Sequence, residues 1–126
     1  MIRGIEHFGL MAKDPERLAR WYADVLDFRI VFQIGSPPKV FIAGREKGMI
    51  EIIPWEEDVA EEKGKRTHIA IEVTDFQKAL ERLQRVGVTV EEMRDTFAGG
   101  RVAFFRDIED NLLHFVYRPE PVWELD

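Results

Sequence analysis

The chain has 126 residues, 45% of them hydrophobic and 33% charged, and a formal net charge of −6. It is long enough for one domain with a substantial apolar core. Its acidic balance excludes a nucleic-acid backbone as the main partner, which calls for a basic face, but leaves room for a small anion held by one or two arginines. There are no cysteines, so disulfides and thiolate metal sites are excluded, and any metal is held by nitrogen and oxygen. No apolar run approaches membrane-spanning length, and Met1-Ile2-Arg3-Gly4 leads almost at once into a strand-like pattern. The expectation is a cytoplasmic protein with no membrane partner.

Residues 5–12 (IEHFGLMA) read as a strand. Asp14-Pro15 then starts a helix, with Asp14 as the N-cap and Pro15 at the first helical position. Leu18, Trp21, Tyr22, Val25 and Leu26 follow the i, i+3, i+4, i+7, i+8 spacing of one apolar helix face. Residues 28–32 read as a strand that Ser36-Pro37-Pro38 breaks. Residues 40–43 and 49–53 form two more strands around a turn at Gly44–Gly48. Residues 54–66 (PWEEDVAEEKGKR) are a polar connector, part of which has the composition of a short helix.

The pattern then recurs. Residues 67–73 (THIAIEV) alternate as a strand, and Thr74-Asp75 supplies a second N-cap. Phe76, Ala79, Leu80, Leu83 and Val86 line one face of a second helix, and Gly87 fits its C-terminus. Strands are expected at 88–93, 101–106 and 112–117, with turns at Gly99-Gly100 and at 107–111. The tail from Pro119 shows no clear element, although Trp123 offers an apolar anchor. Each half thus reads strand, helix, strand, strand, strand, with modules at 4–54 and 66–118 of a single 1–126 domain. The repeat is one of pattern, His7 mapping onto His68 and Asp14 onto Asp75 at a spacing of 61.

The three histidines fall on this repeat. His7 and His68 occupy equivalent positions in the first strand of each half. His114 lies in the last strand of the second half, and its counterpart in the first is Glu51. Strand alternation places Phe8, Leu10 and Ala12 on one side of the first strand and His7, Gly9 and Met11 on the other; His68, Ala70 and Glu72 likewise share a face. Glu51 lies between Ile50 and Ile52, and His114 between Leu113 and Phe115. All four candidates can therefore leave the helix-packed face together. Imidazole and carboxylate suit a divalent metal such as iron, nickel, zinc, cobalt or manganese. Four protein ligands around a six-coordinate ion leave two positions for water or for adjacent substrate oxygens. Each histidine taken alone has an ordinary structural reading, a hydrogen-bonded strand residue. The symmetry of the four is what points to a metal.

The segments IEHFGLMAKDPERLARWYADVLDFRI, THIAIEVTDFQKALERLQRVGV and RVAFFRDIEDNLLHFVY resemble the vicinal oxygen chelate superfamily, which includes glyoxalase I, extradiol dioxygenases, methylmalonyl-CoA epimerase and the fosfomycin- and bleomycin-resistance proteins. The resemblance implies an α+β fold of two βαβββ modules forming a curled mixed sheet. It also implies metal ligands at His7, Glu51, His68 and position 114. The chain departs from the family in having His114 where glutamate is typical, and Ile108 and Asp110 where the closing turn usually has proline and glycine. Glu51 and Glu72 are the candidate proton-moving residues; for Glu72 the alternatives are a group that holds a ligand in place or a solvated strand glutamate. Arg101 is a candidate contact for an anionic substrate group or an exposed turn arginine. Trp21 and Tyr22 read as helix core, and Trp55 as a residue near a pocket mouth.

The expected function is a metal-dependent enzyme, of lyase, isomerase or dioxygenase type, acting on a small substrate with adjacent oxygens. The alternative is a metal-free small-molecule binding or sequestration protein of the bleomycin-resistance type; a third is the same fold with only a structural metal. A homodimer is expected, because short modules leave sheet edges and groove surfaces that favour pairing.

Overall fold

The computed structural model describes residues 1, 3, 5–55 and 67–124, apart from the side chain of Trp123. The expected short helix in the connector and the docking of Trp123 lie outside the described residues. The chain divides into two compact units, residues 1–62 and 63–126, each a four-stranded mixed sheet with one helix. No described helix is long and apolar enough to cross a membrane.

In the first unit β1 (Phe8–Ala12) leads to α1 (Pro15–Leu26), then β2 (Arg29–Ile34), β3 (Lys39–Ala43) and β4 (Met49–Pro54), in sheet order β1-β4-β3-β2. Asp14 caps α1 as expected: its Oδ1 accepts the N–H of Arg17 at 3.1 Å. The helix buries Leu18, Ala19, Tyr22 and Val25 on the side where the sheet turns Val40, Ile42, Ile50 and Ile52 inward. Tyr22 is core, as read from the spacing, whereas Trp21 is only half-buried. The strand expected from residue 5 begins at Phe8. Its ladder is a parallel one with β4, opening at Phe8↔Ile50. Since β4 itself begins at Met49, residues 5 and 6 run past the partner's start, and Ile5 is left exposed.

In the second unit β5 (Ile69–Glu72), α2 (Phe76–Arg85), β6 (Glu92–Asp95), β7 (Arg101–Arg106) and β8 (Leu112–Tyr117) repeat the arrangement, in order β5-β8-β7-β6. Asp75 Oδ1 accepts the N–H of Lys78 at 3.0 Å, the second N-cap. The helix closes at Gly87, whose φ of 79° is open to glycine, and Val88 N–H donates back to Leu83 O. That closure uses up residues expected in a strand, so β6 starts at Glu92 rather than 88. The Val88/Val90 alternation records half-burial, not ladder pairing. Val86, expected on the apolar helix face, is exposed, because it is the C-cap and lies past the last packed turn. The β7 and β8 strands match their expected limits. Between them Asp110 takes φ 66°, the left-handed conformation for which the family's usual glycine is suited and which aspartate tolerates better than most residues.

Candidate metal centre

Each unit brings two of the four candidate ligands together, by the same device. The parallel ladder of the first unit pairs Gly9 with Glu51, and that of the second pairs Ala70 with His114. In both, a histidine lies two residues ahead of the small residue and immediately before the strand: His7 before Phe8, His68 before Ile69. The outer strand thus delivers an imidazole beside a ligating group on the central strand.

In the first unit His7 Nε2 is 3.9 Å from Glu51 Oε1, with side chains 34% and 17% exposed. That is too long for a hydrogen bond, but two donors at this separation can both lie about 2.1 Å from a shared ion. His7 Nδ1 is 3.0 Å from Glu6 Oε1. Phe41, paired with Glu51 in the ladder, meets the His7 ring edge-on at 5.8 Å, and Phe32 lies 6.1 Å from Phe41. The face that carries the ligands is therefore walled by aromatics.

In the second unit the His68 and His114 rings lie 4.6 Å apart. His114 is only 6% exposed, yet it does not point at the helix. Arg101 lies 4.9 Å over Phe76 of α2, which marks the face of Arg101, Ala103 and Phe105 as the helix side. Phe104 and its ladder partner His114 take the other side. The Arg101 guanidinium, weighed as a substrate contact, belongs to that helix-facing side and to Asp95 at 3.2 Å. Burial pushes the His114 imidazole below the usual histidine pKa. A hydrogen bond to the Phe115 carbonyl opposes this, and electrostatic repulsion from His68, Arg118 and Arg94 adds to the lowering. His114 is thereby kept neutral, as a metal ligand must be. Its Nδ1 is 3.2 Å from that carbonyl; a carbonyl only accepts, so the proton sits on Nδ1 and the Nε2 lone pair is left for coordination.

A groove of about 630 Å³ opens beside this pair, lined by His68, Glu91, Glu92, Arg94, Phe104, Arg106 and Leu112. Arg94 Cζ lies 5.5 Å over the Phe104 ring, which is itself 4.9 Å from His114. Arg106 is tied to Glu91 and to Asp110 O. Arg94 and Arg106 escape sequence reasoning, because a strand arginine reads as solvated surface. Glu72 shares the His114 face but lies two residues further along the ladder, opposite Val116, and is exposed. Trp55 follows β4, its N–H bonded to Ala12 O at 2.9 Å. Within neither unit, among the described residues, do three ligating side chains meet: each supplies one pair.

A βαβββ unit repeated twice, with parallel first and last strands in each unit, defines the architecture shared by glyoxalases, dioxygenases and bleomycin-resistance proteins. The chain belongs to the Glyoxalase/Bleomycin resistance protein/Dioxygenase superfamily, whose model matches residues 4–115. It is 28% identical over 118 residues to the fosfomycin resistance protein FosX of Mesorhizobium japonicum, covering 89% of this chain and 84% of that one. Among solved structures, FosX from Mesorhizobium loti is 25% identical, covers 98% of both chains and superposes with a TM-score of 0.70. FosX from Listeria monocytogenes, crystallised with Mn(II) and sulfate, is 21% identical with a TM-score of 0.74 over 94% of this chain and 92% of that one. TnmS3, an antibiotic-binding protein from Streptomyces sp. CB03234, is 18% identical with a TM-score of 0.78 over 93% and 97%. The last two show a shared fold.

Proposed function

We propose that this protein is a metal-dependent enzyme of the vicinal oxygen chelate kind, acting on a small oxygenated substrate, with one divalent ion held by His7, Glu51, His68 and His114. The observation that carries the reading is the repeated pair: two histidine-based donor pairs at the same register offset on the parallel strands of both units. The donor set is nitrogen and oxygen only, which suits manganese, iron, cobalt, nickel or zinc. Manganese comes first, since the Listeria relative holds it.

The ion, when bound, polarises a substrate oxygen and stabilises negative charge developing there. The chain's own residues do the rest. Glu51 is the one carboxylate of the set and the nearest group able to hold a proton. Glu72, on the same face as His114, is the candidate to move one between substrate and solvent. Phe104 forms an apolar floor next to His114. Arg94 places a cation above that floor, where it can orient an anionic substrate group. Phosphonates of the fosfomycin kind are therefore the first substrates to test, followed by glyoxalase-type hemithioacetals and catechols. A homodimer is the proposed assembly. The apolar edge strand β2, with Ile30, Val31, Phe32 and Ile34 exposed, supports it, and sedimentation as a monomer at micromolar concentration would remove it.

The test is turnover of that panel by protein purified without chelator or affinity-tag nickel, stripped, and reloaded with Mn(II) or anaerobically with Fe(II). Conversion that chelation abolishes and metal restores is expected for at least one substrate. Tight binding of a substrate with no conversion, and with the same affinity before and after chelation, would replace the enzyme with a sequestration protein.

A further inference from the structure

We propose that Glu6 is a positioning residue for the metal ligand His7, holding its ring in the one tautomer that coordinates through Nε2; this rests on the metal-centre reading above. In a regular strand, adjacent side chains point to opposite faces, so Glu6 and His7 would not meet. Here the β1 ladder begins at Phe8, and residues 5–7 precede it. Freed from strand alternation, Glu6 folds back onto the neighbouring ring, Oε1 at 3.0 Å from Nδ1.

A carboxylate can only accept, so the shared proton is on His7 Nδ1. That leaves the lone pair on Nε2, the nitrogen that faces Glu51 Oε1 at 3.9 Å. The second unit reaches the same result by another route. There the Phe115 carbonyl accepts a hydrogen bond from His114 Nδ1–H, and the ring is buried. His7 is more exposed than His114 and lacks that burial, so a charged acceptor does the work that a backbone carbonyl does for His114. The contact itself adds little to folding, because Glu6 is 78% exposed and an exposed pair is strongly screened. Its effect is on the ligand. A carboxylate behind a coordinating imidazole fixes ring orientation and raises donor strength, and losing such a group typically lowers metal affinity about 10–100-fold.

The test compares Glu6→Ala and Glu6→Gln with the wild-type chain, by titration of metal-free protein with Mn(II) and by nitrogen-15 NMR of the His7 ring. The wild type is expected to show a protonated Nδ1 and a bare Nε2. Glu6→Ala should lose that preference and bind Mn(II) about 10–100-fold more weakly. Glu6→Gln, which keeps a neutral acceptor, should keep the tautomer and fall between the two in affinity. Glu6 lies outside every ladder, so both variants should fold. Unchanged affinity and tautomer in Glu6→Ala would overturn the proposal. His7→Ala is the control for the underlying reading. If His7→Ala also binds Mn(II) normally, the metal centre is elsewhere, and the ring spectrum still decides whether Glu6 sets the tautomer.

Discussion

His114→Ala is expected to weaken binding of Mn(II), Fe(II) and Zn(II) by well over the roughly 100-fold that loss of a supporting group costs, and to abolish metal-dependent turnover. His114 is the most enclosed of the four proposed ligands, 6% exposed and flanked by the rings of His68 and Phe104. Burial, opposed by the hydrogen bond to Phe115 O, lowers its pKa and so favours the neutral form that coordinates. Truncation removes a donor and leaves a void beside His68. His114→Glu should behave differently. The ligand set would then carry a charge of −2 in place of −1, matching the glutamate usual at this position. Metal should still bind, with weaker Lewis acidity and a shift away from the later first-row ions that imidazole favours. Native turnover should fall, and weak glyoxalase-type activity is the gain to look for, since a proton acceptor would now sit at the ion. Calorimetric titration of the stripped variants with the three ions checks this. Unchanged affinity for all three in His114→Ala would make the histidine structural.

The second large effect is on stability. Asp107→Ala should destabilise the protein by about 3–5 kcal/mol, lowering the melting temperature by roughly 10–20 °C. Asp107 is 5% exposed and organises the turn between β7 and β8 from inside. Its Oδ1 accepts the N–H groups of Glu109 and Asn111 at 2.8 and 3.0 Å, and its Oδ2 accepts Asn111 Nδ2 at 2.8 Å. Alanine leaves three donors without their acceptor, two of them on the buried Asn111. The turn fixes the register of β8 and so the position of His114, and metal affinity should fall along with stability. Asp107→Asn keeps an acceptor for the backbone but turns an NH₂ towards the Asn111 amide, so an intermediate loss is expected. A melting point within a degree or two of wild type in Asp107→Ala, read by circular dichroism, would show that the turn holds without the carboxylate.

The fold was readable because its signals are local and periodic. Asp14-Pro15 and Asp75 mark two helix starts with side chains that do cap, and the β7 and β8 limits follow from apolar runs closed off by turn residues. What was missed depends on partners distant in sequence. The start of β1 is set by where β4 begins, so alternation alone extended the strand to residue 5 and hid the Glu6–His7 contact. The start of β6 is set by the closure of α2 through Val88 N–H. The four proposed ligand positions come from the internal repeat, and the parallel ladders that the βαβββ order implies bring them together two by two. The groove was not readable. Arg94 and Phe104 lie in different strands, and only the antiparallel register, with Phe104 between Glu92 and His114 and Arg94 opposite Val102, sets the cation diagonally over the aromatic floor beside His114.

Under the proposed function the two pairs serve a single ion. The most direct measurement is titration of stripped, full-length protein with Mn(II), followed by its electron paramagnetic resonance signal, alongside alanine variants of His7, Glu51, His68 and His114. One tightly held ion per chain is expected, weakened in all four variants, since removing either member of either pair would break the same coordination shell. No saturable binding would contradict it. So would two ions per chain, one lost with His7 or Glu51 and the other with His68 or His114, because each pair would then be a separate site.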